Sequence, residues 1–180
     1  MAEVHVAIDL ESLDLRPSAL ILSVGLSAFT LQGGEVSTFY AVPSKEVQLL
    51  AGRTTDAGTK KWWDKQEPEA KAVLDLPGVP VLEVMDGIDA FFKRFSDNGN
   101  HVAGVWGYGS DFDNAMIQDF YATFGRRVPW RYTRNRCGRT VVALANVPFG
   151  PSTGIHHNAL DDARFQARMI REALIKLGVD

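Results

Sequence analysis

Apolar residues in the N-terminal part of the chain recur with a period of two. In EVHVAIDLESL, Val4, Val6, Ile8 and Leu10 fall on one side, and His5, Ala7, Asp9 and Glu11 on the other. That spacing predicts a strand. ALILSVGLSAFT and EVSTFYAV predict two more, with LQGGE as the hairpin turn between them. The period then changes. Ser44 to Gly58 reads as a loop or short helical piece, and TKKWWDKQEPEAKAVLDL as helical, with Pro68 opening a second helix at its first turn. After the loop PGVP, the segment VLEVMDGIDAFFKRFSDNG places Val84, Ile88, Phe91, Phe92 and Phe95 at helical spacing and ends on a Gly99 stop signal. HVAGVWGYG is a short apolar strand. SDFDNAMIQDFYATFG is a helix closing at Gly125. The arginine-rich span 126–139 is expected to be irregular, and TVVALANV to be a short helix or strand. NALDDARFQARMIREALIKLG is a strongly amphipathic helix closing at Gly178. Three antiparallel-type strands followed by alternating helices and strands predict a mixed α/β sheet with helices packed on it.

Composition narrows the class. A chain of 180 residues suits one domain over 1–180, and a hydrophobic fraction of 46% is that of an ordinary globular protein. Cys137 is the only cysteine, so no internal disulfide forms, which fits a reducing, cytoplasmic compartment. No leader-like segment opens the sequence. The most apolar run falls short of the ~20 residues a membrane helix needs. A net charge of −3 argues against coating nucleic acid by bulk charge, but not against gripping a chain end.

The chemistry lies in three acidic groups. Asp9 and Glu11 share one face of the first strand, about 6.6 Å apart along it; a solvated edge strand would alternate in the same way. Asp111 and Asp113 stand where a strand gives way to a helix, a common place for sites in open α/β sheets and equally a place for helix caps. In the last helix, Leu160, Ala163, Ala167, Ile170, Leu174 and Leu177 form one stripe. Asp161 points nearly opposite this stripe and reads as a cap residue, together with Asn158. Asp162 lies at its border and reads as the inward acid, with His157 five positions before it. Converging carboxylates make a hard oxygen site suited to Mg²⁺ or Mn²⁺ and not to zinc. Two such ions bridged by carboxylates suit phosphodiester cleavage, and a histidine titrating near neutrality can take a proton from water.

The motifs DLE (Asp9, Glu11), FD (Phe112, Asp113) and HNALDD (His157, Asp162), in that order, resemble the DEDDh group of 3′–5′ exonucleases, which have a DnaQ-like, ribonuclease-H-like fold. DLESL, ALILSVG, TKKWWDKQ, VWGYGSDFDN, RCGRT and HNALDDARFQA together resemble the phage and prophage exonucleases of that group. The resemblance implies a mixed five-stranded sheet flanked by helices. It also implies two Mg²⁺ or Mn²⁺ ions on Asp9, Glu11, Asp113 and Asp162, with His157 as general base. The implied substrate is the 3′ end of a single strand, DNA favoured over RNA, released as nucleoside 5′-monophosphates; pairing into a homodimer stays open. Many relatives have Asn where this chain has Tyr108, and lack an acid at Asp111, which bears on how the terminal nucleotides are held.

Substrate contacts are expected from Ser12, Leu13, Trp62, Trp63, Gln66, Tyr108 and Asn114. Adjacent Trp62 and Trp63 on a helix point about 100° apart, so one can offer a base platform while the other is core. Gln66 is expected on the same helix face. Arg126, Arg127, Arg131, Arg134, Arg136 and Arg139 form the one marked positive cluster, either a phosphate-guiding strip or solvated surface, with Arg139 alternatively structural. The competing readings are an exoribonuclease, a hydrolase of small phosphates, and a non-catalytic nucleic-acid-binding module on the same fold.

Overall fold

The computed structural model describes residues 3–97, 101–151 and 154–179; the Gly99 stop signal lies outside them. The elements run β1 (Glu3–Ser12), β2 (Ile21–Thr30), β3 (Gly34–Ala41), α1 (Lys45–Leu50), α2 (Ala57–Trp63), α3 (Pro68–Asp75), α4 (Val81–Asp97), β4 (His101–Gly107), α5 (Asp113–Thr123), a 3₁₀ turn (Tyr132–Arg134), β5 (Asn135–Cys137), α6 (Gly138–Leu144) and α7 (Ala159–Lys176). The sheet order is β3-β2-β1-β4-β5. β1 to β3 are antiparallel neighbours, whereas β4 and β5 join parallel to β1 and to each other. This is a ribonuclease-H-like mixed five-stranded sheet flanked by helices.

The alternation in β1 sorts its side chains onto two cores, not onto a core and a solvated face. Val6, Ile8 and Leu10 pack with Met85, Phe91 and Phe120 of α4 and α5. Ala7 packs on the other face with Ile170 and Leu174 of α7. His5, expected on a polar face, is buried there. It stacks on Phe29 and accepts the Trp106 indole N–H at Nδ1, 3.2 Å away. The acids sit at the carboxyl end of β1, where Glu11 is buried and Asp9 half-buried. The register to β2 shifts between Glu11 and Ser12, just past the second acid, with Leu22 the unpaired residue.

The arginine-rich span is less irregular than its composition predicts, since Asn135–Cys137 pairs with Val105–Gly107 as β5. TVVALANV falls largely within the helix α6. The stripe on α7 is centred on Ala163, Gln166, Ala167, Ile170, Ala173 and Leu174. Of the two other leucines expected in it, Leu160 is half-buried, and Leu177 is outside it, 47% exposed at the cap past the last turn.

Candidate active site

The site is assembled at the carboxyl ends of β1 and β4, where α5 and α7 begin. Position 25 in β2 pairs with Asp9 across the ladder, and a Cβ there would overlap the Ala159 carbonyl. Gly25 therefore lets the first turn of α7 lie against the sheet beside Asp9. Asn158 caps that helix through Oδ1, which accepts the N–H groups of Leu160 and Asp161 at 3.1 and 3.3 Å. Asp161 turns outward and accepts the Ile155 N–H at 2.9 Å, tying down the preceding loop. Asp162 turns inward, as the helix phase predicts. One of its oxygens accepts the His157 backbone N–H at 2.9 Å. His157 itself has φ +63°, a left-handed conformation that swings its ring toward the cleft.

Asp9, Glu11, Asp113, Asp162 and His157 all line one open cleft of about 790 Å³. Carboxylate oxygens of Asp9, Glu11 and Asp162 lie within 4.8 Å of one another. Asp113 opens α5 beside them, where Gly107 leaves room for its Cβ, and its Oδ1 accepts the Leu10 N–H at 3.3 Å. Asp9 accepts a 2.6 Å hydrogen bond from Gln166 Nε2.

Crowding and burial hold these acids against ionisation. Burial raises Asp9 well above the usual carboxylate range, reinforced by Asp113, Glu11 and Asp162 and opposed by Gln166. Glu11 is pushed up to about 8 by burial, Asp162 and Asp113. Burial takes Asp113 to about 7 against the pull of backbone N–H groups, Leu10's first. Burial also raises Asp162, with the His157 N–H opposing. An all-oxygen donor set that cannot carry its full charge unaided fits hard divalent cations. His157 is shifted the other way: burial, then the neighbouring His156, lower it below the ordinary imidazole value.

The expected substrate contacts separate into two groups. Trp62 is 41% exposed and lines the cleft, its ring edge-on to His157 at 4.7 Å. Trp63 is 1% exposed, packs with Leu20, Leu22 and Val73, and donates its indole N–H to the Ser12 carbonyl at 2.9 Å. Trp63 thus supports the wall that Trp62 presents. Ser12 and Tyr108 line the cleft. Ser12 Oγ is occupied, donating to the Asp14 carbonyl at 2.7 Å.

Three placements differ from expectation. Leu13 packs toward the Trp63 cluster, and Leu15 stands at the cleft in its place. Gln66 does not share the helix of Trp62, because α2 stops at Trp63 and the chain extends before Pro68; its amide donates to the Trp62 carbonyl instead. Asn114 is buried and outside the cleft. Its Nδ2 bonds the Val105 carbonyl and Asn135 Oδ1, locking α5 to β4 and β5.

Asp111 is exposed and does not line the cleft. Of the six arginines only Arg139 reaches the cleft, donating to the Tyr108 carbonyl at 2.9 Å with its guanidinium over that ring. Arg126 pairs with Asp86 and Asp89 of α4. Arg136 folds onto the carbonyls of Thr133 and Asn135. The sequence reading omitted Gln166 and the aromatic wall of Phe149 and Phe165. Gln166 was legible as the residue one turn after Asp162 on the same helix face. Phe149 lies in a loop with no periodicity to reveal it.

The family model described as the 3′-5′ exoribonuclease Rv2179c-like domain matches residues 4–174. Among solved structures, the nuclease domain of 3′hExo, a DEDDh family member, bound to rAMP, superposes with a TM-score of 0.67 at 12% identity. That match covers 99% of this chain and 94% of the other. Exonuclease I of E. coli in complex with a 5cy-dA13 oligonucleotide gives a TM-score of 0.56 at 14% identity, over 96% of this chain and 40% of that one. At such identities the likeness is one of fold. A curated relative, the mitochondrial heat shock 70 kDa protein of Dictyostelium discoideum, is 28% identical over 136 residues, which is 63% of this chain and 20% of that protein. The chain thus spans only about a fifth of that relative's length.

Proposed function

The chain belongs to the 3′-5′ exoribonuclease Rv2179c-like family and is a 3′–5′ exonuclease of DEDDh type, and from that premise we propose that it trims single-stranded nucleic acid from its 3′ end, RNA before DNA, releasing nucleoside 5′-monophosphates. The observation that carries this reading is the convergence of four carboxylates and one imidazole on a single open cleft. The family description favours RNA over the DNA expected from the phage-like motifs.

In this reading Asp9, Glu11, Asp113 and Asp162 would hold two divalent cations, Mg²⁺ or Mn²⁺. When bound, the cations supply the Lewis acidity that eases loss of a proton from water and of the leaving 3′-oxygen. His157 takes the proton of the attacking water. Its lowered basicity keeps the imidazole neutral near pH 7, the form able to accept a proton. The carboxylate of Asp162 fixes the backbone that presents that ring. Gln166 holds the Asp9 carboxylate in one orientation. Trp62 offers its face to the terminal base, and Tyr108, with Arg139 over its ring, also lines the cleft. The whole described chain acts as one catalytic domain.

The test is parallel digestion of matched 5′-labelled RNA and DNA strands with Mg²⁺ and with Mn²⁺. Stepwise shortening of RNA from the 3′ end, faster than of DNA, is the expected result. Faster loss of DNA returns the preference to the deoxy strand. Intact 3′ ends in both metals, with folded protein, remove the catalytic reading. Turnover of free nucleotides without oligonucleotides would favour the small-phosphate hydrolase.

A further inference from the structure

Asp162 belongs to two clusters at once. On one side its carboxylate meets Asp9 and Glu11. On the other, a ligand atom from each of His156, His157 and Asp162 lies within 4.8 Å of the others. The two imidazoles are adjacent in sequence with ring centroids 4.1 Å apart, held close by the left-handed backbone at His157. The donor chemistry of the two clusters differs. The first is all oxygen. The second is two imidazole nitrogens and one carboxylate oxygen, a set that Zn²⁺ and similar borderline ions take and Mg²⁺ does not. His156 is exposed at the rim of the same cleft, so an ion reaches the second cluster from solvent.

We propose that His156, His157 and Asp162 form a second, inhibitory site for Zn²⁺ or a related borderline divalent cation. The inference rests on the reading of His157 and Asp162 as catalytic groups, and it adds a regulatory state to that site. Zn²⁺ bound here occupies the imidazole lone pair that would accept the water's proton. It also competes for the carboxylate shared with Asp9 and Glu11. The enzyme is then held in a closed account between hard and borderline ions: the hard ions leave His157 free, and the borderline ion captures it. Three protein ligands leave a fourth position open, so binding is reversible by chelation.

The test uses Zn²⁺ alone as probe, titrated into the metal-free full chain against a chromophoric chelator, for the parent protein, His156→Ala and Asp9→Asn. The expected result is Zn²⁺ affinity weakened about tenfold or more in His156→Ala, since loss of a direct ligand costs at least as much as loss of a supporting one. Asp9→Asn is expected to keep His156-dependent Zn²⁺ binding. Co²⁺ as a spectroscopic probe is expected to give intense visible bands in the parent and not in His156→Ala. In nuclease assays with excess Mg²⁺, Zn²⁺ is expected to inhibit the parent, and His156→Ala to need about tenfold more for the same inhibition. Zinc affinity unchanged in His156→Ala, or lost in Asp9→Asn alone, places the ion among the carboxylates and overturns the proposal. The binding arm does not depend on turnover. An inactive protein with His156-dependent Zn²⁺ binding would sink the nuclease reading and leave the metal site standing.

Discussion

Asp113 has given up nearly all its water for a few backbone donors, Leu10's first, and burial takes its carboxyl up to about 7. A group so placed is tolerated for what it binds, not for what it adds to folding. Asp113→Asn keeps the shape and removes the charge. We expect digestion of an end-labelled strand to slow by about two orders of magnitude or more, with a metal-free melting temperature equal to or above the parent's; a destabilised but active variant would contradict the assignment. Asp162→Asn is expected to lose activity likewise, and full activity there would transfer the role to Asp161. For His157 the sign follows from its proposed role as general base. A base works only unprotonated, so activity is lost as pH falls through its pKa, and the downward shift places that limb below about 6.5. A pH–rate profile at saturating metal, compared with that of His157→Gln, measures it; a parent limb centred above about 7 would contradict the role. Residue type and order, with the family resemblance, were enough to pick out the acids and the histidine that the fold brings to one cleft. They were not enough for Asn114, whose amide is spent on Val105 and Asn135 across a parallel pairing that leaves no local signal.

Elements position the site through close approach. Gly25 admits the first turn of α7 to the sheet, and α7 carries Asn158, Asp162 and Gln166. Gly25→Ala is expected to cost about 1–3 kcal/mol by overpacking and to lower kcat more than it raises KM, because the displaced turn carries groups proposed to act in catalysis and not the proposed base platform. Urea unfolding with steady-state kinetics checks both, and unchanged kcat would deny the coupling. The tandem tryptophans separate in the same way. Trp62→Ala is expected to weaken substrate binding by about 1–3 kcal/mol with little change in stability, and Trp63→Ala to lose about 3–5 kcal/mol of stability. α4 and α7 were legible because each buries a regular face, and β1 and β2 because their apolar runs are short and rich in β-branched residues. β5 was not, since three residues, Asn135–Cys137, pair with β4 and carry no alternating pattern. The end of α2 was misplaced because its stop before Pro68 has no glycine to announce it. The second buried face of β1 was hidden because Asp9 and Glu11 made the whole side read as polar, although His5 and Ala7 behind them are core.

Across the whole molecule, the acidic cleft makes stability depend on pH and metal together. Burial raises the native-state values of Asp9, Glu11, Asp113 and Asp162, Glu11 to about 8 and Asp113 to about 7. In the unfolded chain the same groups titrate near about 4. The folded state therefore binds protons more tightly than the unfolded one. Stability from these groups is fully present below the unfolded values and is lost as pH rises through the native ones. Divalent cations bound as proposed to the deprotonated native cluster would displace its protons and reverse this. At a hundredfold excess over Kd, such an ion adds about 2.7 kcal/mol. In a chelator, the melting temperature is expected to fall between about pH 5 and pH 8. With saturating Mg²⁺ or Mn²⁺ the fall is expected to flatten or reverse, and the cation's stabilisation to grow with pH. The net charge of −3 also disfavours the compact state as pH rises, so the cleft's share is the part that Asp9→Asn combined with Glu11→Gln removes. A slope unchanged in that double variant, and unaffected by the cations, would move the pH dependence to the general surface and leave the four carboxylates without a cation to justify their burial.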